Sequence, residues 1–302
     1  MHIFVTGATG WIGSAVVRAL NEGGHCVTGL TRTEKDAAAL IGLGATAAIG
    51  SLEDRDLLRQ AAANADGVIH TAMGSGFGNS EKPIQDDVTA IEAFGEAYGS
   101  DRRPILVTHG LGALSSAETF TEAARPGIIA EYPRASEQTA FKLASRGINA
   151  SVVRPARAVH GIGERHGFVP LIADIARKRG FSAYVDGGSG PWPACHRLDV
   201  GRLYRLAIER GVGGEAHHAV SEDVPFRLVA EAIGRQLGLP VKSIPASHAA
   251  GHFGALATWV TGTGTVSTLL TRQRLGWKPQ EIGLLADIDR PEYFKNGNDR
   301  AD

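Results

Sequence analysis

Apolar and polar positions follow a regular rhythm through the first half of the chain. Ile3, Phe4 and Val5 form an unbroken apolar, β-favouring run, the pattern of a strand buried on both faces of a parallel sheet. The period then changes: Ala15, Val16, Ala19 and Leu20 share one face at helical spacing. Strand-like runs return at 25–31 (HCVTGLT), 45–49, 67–71 (GVIHT), 104–108 (PILVT) and 150–154 (ASVVR). Between them, 33–42, 54–63, 84–98 and 136–144 read as helices. This alternation predicts βαβ units, a parallel sheet and right-handed crossovers.

Residues 74–83 (GSGFGNSEKP) break the rhythm after the fourth strand and form either a substrate-side lid or a solvent-exposed connection. The segment 109–131 has weak periodicity. Beyond 155 the alternation ends. Helices are expected over 168–179, 200–209 and 226–237, with a strand near 217–220 and a turn-rich loop at 186–193. Asp199 reads as an N-cap before Val200. The Ala-, Gly- and His-rich stretch 243–264 is left unplaced.

Between the first strand and the first helix lies Thr6-Gly7-Ala8-Thr9-Gly10-Trp11-Ile12-Gly13. In such a turn one glycine permits the tight bend, a second lets backbone approach a pyrophosphate, and a third lets helix and strand pack closely. The amides and positive dipole end of the helix then hold the phosphates. The alternative is a glycine-rich turn with no ligand. Dinucleotide binding is the expectation, with Thr6, Gly7, Gly10, Trp11, Ile12 and Gly13 in the binding set.

The spacing G-x-x-G-x-x-G in TGATGWIG resembles the fingerprint of the short-chain dehydrogenase/reductase superfamily, in its extended, epimerase/dehydratase-like branch. The likeness continues in VVRPARAVHG (152–161), which resembles the segment passing the nicotinamide and adds Pro155 to the binding set. It extends through GSGPWPACHRLDVGRLYRLAIE (188–209) and Leu275-Gly276-Trp277-Lys278-Pro279. The resemblance implies an α/β fold: a Rossmann-type doubly wound parallel sheet of seven strands with a smaller C-terminal substrate-capping lobe. Residues 1–155 would form the core. Residues 156–302 would mainly form the lobe, with segments returning to the core. His70-Thr71-Ala72 resembles the stretch lining the cofactor by backbone contact, which makes His70 a packed histidine rather than a base. The helices 84–98 and 136–144 match those that pair across a two-fold axis, implying a homodimer. Trp277 reads as a packing aromatic; Trp192 either stacks on substrate or packs.

The end of the second strand usually decides the cofactor: an acid reads a ribose 2′-hydroxyl, an arginine a 2′-phosphate. No Asp or Glu occurs from Val27 to Thr33, and Arg32 stands between Thr31 and Thr33. A guanidinium fork suits a phosphate dianion, so NADP is expected over NAD. The alternative is a surface arginine, with Glu34 or Asp36 reading NAD. Ser51-Leu52 departs from the family's Asp-Leu at the adenine.

Catalysis in the family uses a Ser or Thr after the fifth strand and Tyr-x-x-x-Lys on the next helix. The lysine lowers the tyrosine pKa from about 10 and binds ribose. This chain departs from that pattern. Four residues after Tyr132 stands Ser136; aligning Ser136-Glu137 with the usual Ser-Lys puts Pro133 at the tyrosine position. Thr108-His109-Gly110 follows the fifth strand. The candidates are therefore Tyr132, His109 and Thr108; His109 could donate the proton, since its unperturbed pKa lies near neutrality, or merely cap the sheet edge. Arg134 could replace the lysine's charge, and Lys142 reads as solvated.

Composition narrows the rest. The chain has 302 residues, is 43% hydrophobic and 21% charged, and carries a formal net charge of −1. That charge provides no basic field for nucleic acid or anionic lipid. No apolar run suggests a membrane span or signal peptide. Cys26 and Cys195 form no disulfide framework; a cytoplasmic location is the default. The pairs His217-His218 and His248/His252 lack an accompanying carboxylate at metal-site spacing, so no metal is expected. The reading is an NADP(H)-dependent oxidoreductase of the atypical extended type, reducing a small carbonyl or oxidising an alcohol. Its alternatives are an NAD-dependent nucleotide-sugar epimerase/dehydratase and a nonenzymatic NADP-binding regulator.

Overall fold

Successive side chains of a strand point to opposite faces of the sheet. In β1 (His2–Thr6), Ile3 and Val5 enter one apolar cluster and Phe4 enters another, all three fully buried. Both faces are therefore covered. The computed structural model describes residues 1–72, 81–112, 119–125, 127–128, 133–262 and 264–294.

After β1 come α1 (Trp11–Glu22), β2 (Cys26–Thr31), α2 (Glu34–Gly42), β3 (Thr46–Ile49), α3 (Arg55–Ala63) and β4 (Gly67–His70). Then follow α4 (Glu81–Tyr98), β5 (Ile105–Thr108), α5 (Ser136–Ser145), β6 (Ala150–Pro155) and β7 (Ala158–His160). The second half adds α6 (Phe168–Arg179), β8 (Ser182–Val185), β9 (Pro191–His196), α7 (Arg197–Arg210), β10 (Ala216–Ala219) and β11 (Glu222–Pro225). It closes with α8 (Phe226–Leu237), β12 (Val241–Ile244), α9 (Ala249–Phe253), α10 (Ala257–Val260), α11 (Leu269–Leu275) and α12 (Leu284–Ile288).

The main sheet has seven strands in the order β10-β6-β5-β4-β1-β2-β3, every pairing parallel. This is the Rossmann-type doubly wound arrangement. One face packs Val16, Val17 and Leu20 of α1 with Leu203 and Ile208 of α7. The other packs Leu58 of α3, Ile91 and Phe94 of α4 and Leu143 of α5. A Cβ on Gly201 would stand 2.4 Å from the Ala15 carbonyl oxygen, so α7 lies directly on α1.

A second body of structure holds the three-stranded sheet β11-β9-β7 and the two-stranded sheet β12-β8. Its core gathers Phe168, Trp192, Phe226 and Trp259. Trp192 is fully buried among aromatic rings, which is the packing alternative. Among the described residues no helix is long and apolar enough to cross a membrane.

Three local expectations differ from the structure. The expected loop 186–193 runs into β9, whose pattern is hidden by Pro191 and Pro193. Those prolines pair only with β11, because β7 reaches no further than Ala194. Helix α7 begins at Arg197, capped by His196, which accepts from the Leu198 amide at 3.3 Å. Asp199 instead sits in the first turn, buried, and accepts from the Gln280 and Glu281 amides at 2.8 and 2.9 Å. Glu81, Lys82 and Pro83 form the first turn of α4 rather than loop, a position where proline is tolerated; residues 74–80 lie outside the described ones.

Candidate functional site

The strand order places β1 between β2 and β4, so the chain leaves the sheet in opposite directions on either side of β1. Ligands of open α/β sheets bind at such a switch point, beyond the carboxyl ends of the strands. Register sets Thr6 opposite His70, which brings the two strand ends level.

Above them the glycine turn is built in three steps. Gly7 adopts φ +66°, and a Cβ there would stand 2.6 Å from the Ala72 amide nitrogen. The loop is thereby pressed against the chain leaving β4. Gly13 admits no side chain either: its Cβ would stand 2.0 Å from the Gly7 carbonyl oxygen. Gly10 is different. It caps α1 with φ −72° and ψ 174°, and among the described residues a Cβ would meet only the Gly7 carbonyl oxygen, at 3.1 Å. Gly7 and Gly13 serve the fold; Gly10 leaves the open side that a pyrophosphate would fill. The amides of Trp11, Ile12 and Gly13 belong to the first helical turn, where backbone donors lack intrahelical acceptors. These residues fit a dinucleotide. The Trp11 indole points away, donating to the Val159 carbonyl at 2.6 Å beneath the Arg197 guanidinium, 3.9 Å from the ring.

Beneath the cradle runs a buried polar chain. The Ala72 amide donates to Thr6 Oγ1 at 3.4 Å, and Thr71 Oγ1 donates to the Thr6 carbonyl at 2.7 Å. His70 joins Thr6 Oγ1 through Nδ1 at 2.7 Å and Asp87 Oδ1 through Nε2 at 3.0 Å. Arg134 Nη2 donates to Asp87 Oδ1 at 2.6 Å, and Ser136 Oγ donates to Asp87 Oδ2. Burial works to raise the Asp87 pKa; His70, Arg134 and Ser136 outweigh it and hold the carboxyl below its ordinary value. Against the ionised Asp87, His70 Nε2 is the donor. His70 is a buried link with both ring nitrogens engaged.

At the end of β2, Thr31 is buried and Arg32 exposed. Thr33 caps α2, accepting from the Asp36 amide at 3.1 Å and donating its hydroxyl to Asp36 Oδ2 at 2.8 Å. Asp36 is thus turned into the helix cap. Ser51 is engaged with Asp54, its amide donating at 2.8 Å.

Of the three catalytic candidates, Thr108 and His109 lie among the described residues. Thr108 Oγ1 is hydrogen-bonded to the Tyr204 hydroxyl at 2.7 Å. His109 is 7% exposed, and burial pulls its pKa down to about 4. This corrects the expectation of a ring titrating near neutrality: at pH 7 the imidazole is neutral. Tyr132 lies outside the described residues. Arg134 is paired with Asp87, and Lys142 is exposed, 3.7 Å from Glu92.

At the lysine position of the Ser-aligned register stands Glu137, buried and held by Arg154 in a two-pronged pair at 2.7 and 2.6 Å. Arg154 also donates to the Ala124 carbonyl at 2.8 Å and contacts His218 Nε2 at 3.0 Å. The pair ties α5 to β6 and to the 119–125 stretch. Pro155 is buried at the end of β6, its carbonyl accepting from the Leu111 amide at 3.3 Å. Burial lowers the pKa of His217 to about 4 and of His218 to about 3; His252 packs against Phe181. Among the described residues no three His, Cys, Asp or Glu side chains converge on a metal position.

Asp87 escaped the sequence reading, yet it left a signal. It is a lone acid on the apolar face of a helix that otherwise buries Ala90, Ile91 and Phe94.

Comparison with known proteins agrees with this geometry. The family model described as NAD(P)H-binding matches residues 7–173. An uncharacterized protein of Schizosaccharomyces pombe is 42% identical over 299 residues, covering 97% of this chain and all of that one. A 4-hydroxy-2-methyl-3-oxo-4-farnesyl-3,4-dihydroquinoline-1-oxide ketoreductase of Stigmatella aurantiaca is 30% identical, covering 76% of this chain and 70% of that one. The solved structure of a nucleoside-diphosphate-sugar epimerase from Pseudomonas aeruginosa superposes with a TM-score of 0.76 at 20% identity, over 98% of each chain. The chain belongs to the NAD(P)H-binding family of the short-chain dehydrogenase/reductase superfamily, in its extended epimerase/dehydratase-like branch.

Proposed function

We propose that this protein is an NADP(H)-dependent oxidoreductase that reduces a small carbonyl or oxidises an alcohol. The observation that carries the reading is the pairing of an open Gly10 cradle with Arg32, exposed at the end of β2, while Asp36 is occupied in the α2 cap. Thr6, Gly7, Gly10, Gly13 and the backbone of Trp11 and Ile12 would hold the pyrophosphate. Arg32, with Thr31 beside it, would take the 2′-phosphate, and Thr71, Ala72 and Pro155 would line the site. When bound, the nicotinamide supplies or accepts the hydride. The proton at the reacting oxygen falls to Tyr132, because His109 is neutral at pH 7. Without a lysine to lower the phenol pKa, carbonyl reduction is favoured over alcohol oxidation at neutral pH. The relative named as a ketoreductase supports this direction.

Calorimetry with NADPH and NADH tests the cofactor. Wild type should bind NADPH more tightly, and Arg32→Ala should lose about tenfold or more of that affinity with little change for NADH. Tighter wild-type binding of NADH would end the arginine reading. On a panel of aldehydes and ketones, Tyr132→Phe should lose turnover but keep the nucleotide.

A second reading, a nonenzymatic NADP-binding regulator, draws on Glu137. An acid paired with Arg154 fills the aligned lysine position. Binding of NADPH without turnover across the panel would favour it. The protein is proposed to act in the cytoplasm as a homodimer paired through α4 and α5. A monomeric mass in sedimentation at micromolar concentration would remove the dimer.

A further inference from the structure

Where β6 hands the chain to the second body of structure, Arg157 is 5% exposed. Its guanidinium lies 4.8 Å from the Trp192 ring and 5.9 Å from that of Trp259. Nη1 donates to the Trp259 carbonyl at 2.8 Å. Nε and Nη2 are buried and make no hydrogen bond among the described residues. Among the described residues no carboxylate lies within ion-pair distance of it. The charge of Asp223 of β11 bears on it, and Asp223 accepts from the Val266 amide at 3.4 Å. Burial lowers the Arg157 pKa to about 10, so it remains a cation at pH 7.

A buried cation with unmet donors is costly, because a charged group left without partners loses its hydration uncompensated. The place is also specific. Two residues earlier Pro155 ends a central-sheet strand; two residues later the Val159 carbonyl receives the Trp11 indole from the first turn of α1. Arg157 therefore stands between the nucleotide cradle and the second body, beyond the carboxyl end of β6. The two free N–H groups of a planar fork match two oxygens of a carboxylate or a phosphate.

We infer that Arg157 is a substrate-recognition residue that anchors an oxyanion, a carboxylate or a phosphate, on the molecule bound beside the cofactor. The inference rests on the oxidoreductase reading and names the class of its substrate.

The test measures binding rather than turnover. Intrinsic tryptophan fluorescence is followed at pH 7 while benzoate, phenyl phosphate or the uncharged isostere benzamide is added, and NADPH affinity is measured on the same samples. At least one anion should bind about tenfold or more tightly than benzamide. Whichever anion leads identifies the oxyanion, and either result supports the assignment. Arg157→Met should abolish that preference and leave NADPH affinity unchanged. Should it fail to fold, two gentler variants carry the test. Arg157→Lys keeps the charge without the fork and should bind the anion more weakly than wild type. Asp223→Asn removes the opposing charge and should bind it more tightly. Equal binding of benzamide and both anions, or an anion preference that survives Arg157→Met, overturns the assignment. Anion selectivity in a protein that binds no NADPH would instead overturn the oxidoreductase reading and leave the anion site standing.

Discussion

Asp87 and Glu164 are both buried carboxyls, and the molecule holds them in opposite states. Asp87, under the nucleotide cradle, receives hydrogen bonds from His70, Arg134 and Ser136, and its pKa is lowered in spite of burial. Glu164, in the second body, accepts from the Tyr293 hydroxyl at 2.5 Å and faces the negative charge of Asp287. Burial, reinforced by Asp287 and only partly offset by Tyr293, pushes its pKa up to about 8. The difference lies not in depth but in supply: cationic and hydroxyl donors keep one carboxyl charged, and their scarcity leaves the other protonated at neutral pH. The charged one braces Thr6 and the turn above it. The neutral one fastens Tyr293, near the C-terminal end of the described chain, to the segment before α6.

The most damaging way to probe the contrast is Asp87→Ala. It leaves Arg134 and His70 without their acceptor, and breaking a buried pair from one side typically costs about 3–5 kcal/mol. Denaturant unfolding should show a loss of that order; a change below about 1 kcal/mol would mean that Asp87 is not held as an ion. A smaller effect in free energy, confined to the ligand, is expected above it. Gly10→Val should weaken NADPH by about a hundredfold, or about 2.7 kcal/mol, while melting close to wild type. Its Cβ meets the Gly7 carbonyl oxygen at 3.1 Å and needs only slight relief. Unchanged affinity in calorimetry would remove the pyrophosphate assignment.

The gentlest probe is Glu164→Gln. Below about pH 4.5 the carboxyl is neutral in both the folded protein and the unfolded chain, so there the amide should change stability by less than about 1 kcal/mol. The pH dependence carries the sign. A raised folded pKa means that the folded protein binds more protons than the unfolded chain between about pH 4.5 and 8. Stability from Glu164 is therefore complete below about 4.5 and is lost as pH rises through 8. The glutamine variant should become increasingly the more stable protein from about pH 4.5 upward, and the gap should level off above about pH 8. Identical pH profiles for the two proteins would show that Glu164 is ionised in the folded state.

How far the sequence foretold this depends on which contacts were local. The run Ile3-Phe4-Val5 and the three glycines specify a strand, a turn and a helix within one short stretch, and neighbouring residues alone determine them. Helices α6 and α8 end where the periodicity and the following Gly180 and Gly238 place their ends. The strands β8, β9, β11 and β12 were missed because they are short and, in β9, interrupted by prolines. The sense of Asp199 was also hidden: its partners, Gln280 and Glu281, lie some eighty positions away. Buried pairs such as Glu137–Arg154 and Asp87–Arg134 are invisible for the same reason. Each residue alone reads as surface, and only the fold shows that a partner waits inside.

The missing side chain at Gly201 has a mechanical consequence. It lets α7 seat on the backbone of α1, and Arg197, at the start of α7, lies on the Trp11 ring and donates to Ser14 Oγ at 2.7 Å. The helix that would bear the phosphates and the helix that leaves β9 are locked as one rigid piece. Any closing motion over a bound substrate must therefore pivot farther out, in elements that do not touch α1, while the joint nearest the nucleotide stays stiff.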